Sequence, residues 1–178
     1  ISIDLPQASF LNLNFKGNMK TVKINVYALS ELSDDAQEKA HTEYLQNGFE
    51  PFWIDEGLES IKEFAQVFFG VGLKEWNIST YERSFIKTDA TQEHFRGIKP
   101  AEITETNLTG HCLDGILVDA FQSSVKEKGD VKSAFFETIE AGISYLIKDV
   151  EYQESFDYFL EHSEANDYGY LVSGKFYY

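Results

Sequence analysis

The chain has 178 residues, with 30 acidic against 15 basic side chains for a net charge of -15, and aromatic residues make up 15% of it. So strong a negative field argues against direct nucleic-acid binding, which needs Lys and Arg at phosphates, and it repels anionic membrane surfaces. The aromatic content places this charge on a folded body, since disordered acidic tails are poor in Phe and Tyr.

One domain is the simplest organisation for this length. The single cysteine, Cys112, excludes an intrachain disulfide and a Cys-based zinc cluster, and it suits a reducing, cytoplasmic setting. No apolar run is long enough to span a membrane, and the first residues lack the pattern of a signal peptide. Basic proteins and cations are the partners that the charge permits.

In chain order, FLNLNF alternates apolar and polar residues, KGNMK supplies a turn, and TVKINVYAL alternates again. Together they predict a β-hairpin. A helix follows over SELSDDAQEKAHTEYLQNG, with Ser33 able to cap, Asp34 and Asp35 in its first turn and Gly48 at its end. Leu32, Ala36, Ala40 and Tyr44 give its inward stripe. DEGLESIKEFAQVFFG predicts a second helix, with Leu58, Ile61, Phe64, Ala65 and Phe68 on one face. WNISTYERSFIK predicts a central strand, and residues 89–110 have no clear period.

A third helix is expected from Cys112 to Lys128, ended by Gly129. A longer one is expected from Val131 to Glu164, with Phe135, Phe136, Ile139, Ile143, Leu146, Ile147 and Val150 facing inward. That register continues, slightly rotated, through Tyr152, Phe156, Phe159 and Leu160. The tail YGYLVSGKFYY reads as a closing hairpin around Ser173-Gly174. The expected fold is α+β: a small antiparallel sheet (N-terminal hairpin, central strand, C-terminal hairpin) packed against about four helices.

Asp149 to Asp167 carries seven carboxylates and no Lys or Arg. On one continuous helix, Glu154, Asp157, Glu161 and Glu164 form a ridge about 15 Å long, with spacings close to the phosphate repeat of a nucleic-acid strand. Glu151 and Asp167 flank it. Like charges at these spacings weaken a helix, and acids near its C-terminus oppose its dipole. Such locally unfavourable choices are expected at functional sites, although a solvated, solubilising face has the same composition.

Two segments carry a resemblance. MKTVKINVYALSELSDDAQEKAHTEYL contains L-S-x-x-A-x-x-K-A after a short strand, and ANDYGYLVSGKFYY is similar to a closing A-N-x-Y-x-F-x-x-x-G-x-x-[FY] hairpin. They resemble the ends of small acidic, antitoxin-like proteins encoded by phages and mobile elements, and TGHCLDGILVDAF resembles an internal segment of those proteins. The pattern departs at Gly169 and Tyr170 and in the central loop. The match spans residues 19–178 and implies one α+β domain there. It favours Met19 as the native start and residues 1–18 as a non-native or upstream extension that forms a hairpin strand. It implies a bacterial host cytoplasm. By charge and size alone, the chain groups with anti-restriction and anti-CRISPR proteins that imitate nucleic acid.

Catalysis has little to stand on. His111 and Cys112 are neighbours, and adjacent helical residues point about 100° apart, so they cannot themselves form a dyad. Pairs such as Asp114/Asp119 or Glu137/Glu140 would serve acid–base chemistry only if buried. No phosphate loop, zinc or calcium motif is present. The expectation is therefore a non-enzymatic protein with no cofactor and no metal. Its partner is a basic nucleic-acid-binding protein or complex, met through Glu151, Glu154, Asp157, Glu161, Glu164 and Asp167. The alternative is antitoxin-like neutralisation of a specific protein by packing contacts, and a homodimer stays open.

Overall fold

A computed structural model describes residues 23–47, 53–108 and 113–177. Within them the chain forms α1 (Asp34–Asn47), α2 (Trp53–Phe69), β1 (Leu73–Asn77), β2 (Phe85–Thr88), α3 (Asp114–Lys128), α4 (Val131–Gln153) and α5 (Phe156–Ala165). Among the described residues the fold is mixed, five α-helices with a two-stranded antiparallel sheet. No helix among the described residues is long and apolar enough to cross a membrane.

The α3–α4 hairpin is the centre of the packing, and its two-residue link shows why. Gly129 takes the left-handed conformation at φ 68° and its N–H closes on the Val125 carbonyl at 2.8 Å, a geometry glycine adopts without strain. Asp130 then accepts the Ser133 N–H at 2.9 Å and starts α4. Hydrogen bonds from the Ser133 side chain and N–H hold the Asp130 carboxyl below the usual carboxylate range. Farther along the pair, Glu137 of α4 accepts from Ser124 and Lys128 of α3.

Against this hairpin α2 lays the face expected of it, and Ile61, Phe64, Ala65, Leu117, Phe121, Ala134 and Phe135 are sealed from solvent. Each such large side chain contributes about 1.5–3 kcal/mol by leaving water. Edge-to-face contacts join Phe64, Phe69, Phe121 and Phe135. Segment 89–108, which has no sequence period, is three short 3-10 turns, and it seals one end of this core with Phe95 and Ile103. Gln122 holds the segment by donating to the Pro100 and Ile103 carbonyls.

A second, smaller cluster joins Leu29, Leu32, Ala36 and Ala40 to Phe159 of α5 and Tyr170 of the tail. Tyr170 is 2% exposed and shares a 2.8 Å hydrogen bond with the equally buried Ser163.

Several expectations are corrected. The single strand over WNISTYERSFIK is instead part of a hairpin. Ser84 Oγ accepts the Ser79 N–H and donates to the Ser79 carbonyl, Ser79 Oγ accepts from the N–H groups of Tyr81 and Glu82, and the chain reverses. β1 and β2 then pair Trp76 with Ile86 and Asn77 with Phe85. The closing hairpin is reduced to isolated bridges, Tyr27 with Tyr170 and Tyr170 with Phe176, around a turn at Gly174. The opening hairpin falls mostly outside the described residues, and from Lys23 to Tyr27 only Tyr27 is bridged. Phe136 and Tyr152, expected inward, are 40% and 49% exposed. Gly48, His111, Cys112 and residues 1–18 lie outside the described residues.

Candidate partner-binding face

The helix expected over 131–164 is two helices. Ser155 is the reason: its hydroxyl donates to the Tyr152 carbonyl at 2.6 Å and accepts the Tyr158 N–H at 3.2 Å, so it caps a new helix. His41 of α1 fixes the break from outside, its Nε2 donating to the Glu154 carbonyl at 2.9 Å. The slightly rotated register past Val150, with Ser155 followed by Asp157, was the available sign of this break.

The break redistributes the carboxylates. Glu154 leaves the ridge, because it ends α4 half-buried and accepts from the Tyr81 hydroxyl at 3.1 Å and the Thr80 hydroxyl at 3.3 Å. Its role here is to tie the β1–β2 turn to the helix junction. Glu151 is exposed on the last turn of α4. Asp157 now sits in the first turn of α5, where the helix dipole favours an anion. Asp167 terminates α5 in the left-handed region at φ 53°. There its N–H meets the Glu164 carbonyl, and the next N–H, from Tyr168, meets Ser163. This is the Schellman pattern.

What remains together is Asp157, Glu161 and Glu164, at i, i+4 and i+7 on α5 and all exposed. Tyr152 extends this face from α4, donating to Glu161 at 3.0 Å. That bond first, then burial and the charges of Glu161 and Asp157, hold its phenol above the ordinary tyrosine range. Glu161 and Glu164 still oppose the dipole of α5, so part of the expected local cost survives.

Beside this face lies a feature that periodicity could not reveal, because its members come from three separate segments. Ala40, Glu43, Tyr44 and Asn47 of α1, Phe159 and His162 of α5, and Tyr168, Tyr170 and Phe176 of the tail line a cleft of about 330 Å³. Burial, with smaller effects of Tyr158 and Tyr168, pushes the Tyr44 phenol up to about 12. Burial likewise raises Tyr170, although Ser163 partly offsets it.

Of the acid–base pairs, Asp114 is buried and Glu137 is engaged with α3. Among the described residues no group of three or more His, Cys, Asp or Glu side chains is placed to hold a metal ion. No protein-family model, curated protein or solved structure matches the chain.

Proposed function

We propose that this is a non-enzymatic acidic interaction protein, of the kind phages and mobile elements carry, that docks on a basic nucleic-acid-binding host defence complex. The carboxylates of α5 occupy Lys and Arg positions that otherwise receive phosphates, so attraction is electrostatic and long-range. The observation that carries this reading is the exposed face of Asp157, Glu161 and Glu164, within a stretch from Asp149 to Asp167 that contains no Lys or Arg. Glu151 flanks that face, while Glu154 and Asp167 shape the elements that present it.

Affinity capture from a bacterial lysate at low and high salt, with and without added DNA, tests the proposal. Nucleic-acid-binding proteins should be retained at low salt, released as salt rises and displaced by DNA. A captured protein indifferent to both salt and DNA would overturn it. That result belongs to the second reading, an antitoxin-like protein that neutralises one partner by packing. Its support is the tail, where Val172, Phe176 and Tyr177 are 73%, 45% and 40% exposed.

A further inference from the structure

The cleft between α1, α5 and the tail has a definite chemistry. Its wall is a run of rings in mutual contact, with Tyr44 to Phe159 at 4.9 Å between centroids and Phe159 to Tyr170 at 6.2 Å. The run continues from Tyr170 to Phe176 at 5.7 Å, on to Tyr168 at 5.2 Å, and from Tyr168 to His162 at 5.5 Å. One carboxylate, Glu43, stands among the lining residues, and no Lys or Arg does. Glu43 is exposed, and its carboxylate has no hydrogen bond or ion pair among the described residues.

Ring faces carry partial negative charge and attract a desolvated organic cation. A carboxylate at the rim adds to that attraction, and the net charge of -15 repels anionic ligands. The volume, about 330 Å³, is at the small end of ligand sites. It suits one long side chain and not a nucleotide. Guanidinium fits better than ammonium, because it is planar, stacks on rings and gives up its water more readily.

We propose that this cleft is a binding site for an arginine side chain, supplied by the basic partner. The identity of the donor rests on the function proposed above, whereas the chemistry of the cleft does not. The two cooperate physically: the carboxylates of α5 attract a basic surface at a distance, and the ring-lined cleft selects one residue of it at contact. An acidic face alone gives rate and salt sensitivity but little discrimination, and the cleft supplies the discrimination.

The test is an NMR titration of the full chain with N-acetyl-arginine amide, beside its neutral citrulline analogue. Saturable shifts of the His162, Tyr168 and Phe176 ring signals are expected with arginine, and weaker ones with the lysine amide. Citrulline should bind at least several-fold more weakly. Glu43→Gln, at an exposed position, should weaken arginine a few-fold. Tyr168→Leu should weaken it roughly three- to tenfold. Equal binding of arginine and citrulline would overturn the proposal, as would no saturable shift, the result expected if the chain's own segment fills the cleft. These outcomes leave the lysate capture untouched, so this inference and the proposed function fail separately.

Discussion

The two clusters of this molecule are built on opposite principles. In the larger one, three helices close over Phe and aliphatic side chains that are almost wholly dry, with the small hydroxyls of Ser60 and Thr138 fully buried on α2 and α4. In the smaller one, the aliphatic side chains and Phe159 are joined by rings with polar tips, namely Tyr27, Tyr44, Tyr168, Tyr170 and the neighbouring His41 and His162. Tyrosine and histidine give a surface that is apolar at the ring and polar at its edge, and such residues are common where proteins meet partners. The contrast places the dry, stabilising core in α2–α4, and on the proposed function recognition falls to the region around α5. The α4–α5 break joins them, through the His41 and Tyr44 hydrogen bonds to the carbonyls of Glu154 and Gln153.

The comparison can be broken at its strong end first. Phe135 is fully buried and touches Phe69 and Phe95. Phe135→Ala should cost about 3–5 kcal/mol, a loss seen across the whole cooperative transition in chemical denaturation. A much smaller loss would mean that the α2–α4 core is not where stability resides.

A sharper cut falls on the small cluster. Gly174 is at φ 86°, and a Cβ there would run into the Ala36 carbonyl oxygen of α1. Backbone cannot give way as a side chain would, so Gly174→Ala should lift the tail from α1 at a cost of about 1–3 kcal/mol. Hydrogen exchange should quicken in α5 and the tail while α3 and α4 keep their protection. Uniform loss of protection would show that the two clusters unfold as one.

The smallest effect concerns pH. Tyr44 ionises near 12 in the fold and near ~10 in an unfolded chain. As pH rises, the unfolded form releases this proton first. The stabilisation is therefore intact below about pH 10 and lost as pH climbs through about 12. Tyrosinate absorbance should show a late-ionising step to which Tyr152 and Tyr170 also contribute, and Tyr44→Phe should remove the part of it that lies near pH 12. Its persistence in the variant would place the buried phenol elsewhere.

How legible this was depended on where the determining partners lie. The helices α1, α2 and the α3–α4 hairpin were readable because apolar spacing, Gly129 and the first-turn acids of α1, α2 and α3 act within one segment. The β1–β2 reversal was hidden because serine hydroxyls, not a Gly or Pro, make its turn. Segment 89–108 was unreadable because two residues, Phe95 and Ile103, anchor it to a core formed by distant helices. For the site, the charge of α5 was plain and its geometry was not. A reading that runs through Ser155 puts Glu154 on the ridge, whereas the cap removes it to Thr80 and Tyr81. The cleft was invisible for a simpler reason, since Tyr44, His162 and Phe176 meet only in three dimensions.

The most direct test of this division of labour is to measure binding and stability on one variant, Asp157→Asn/Glu161→Gln/Glu164→Gln. The Gln at 161 keeps an acceptor for the Tyr152 hydroxyl. Relief of like-charge repulsion and of the acids opposing the dipole offsets the loss of the favourable Asp157 anion in the first turn, so stability should change by no more than a few tenths of a kcal/mol. Capture of the basic partner should fall at least tenfold at low salt. Binding retained at the wild-type level on a folded variant would contradict the account and leave the acidic face a solvated surface.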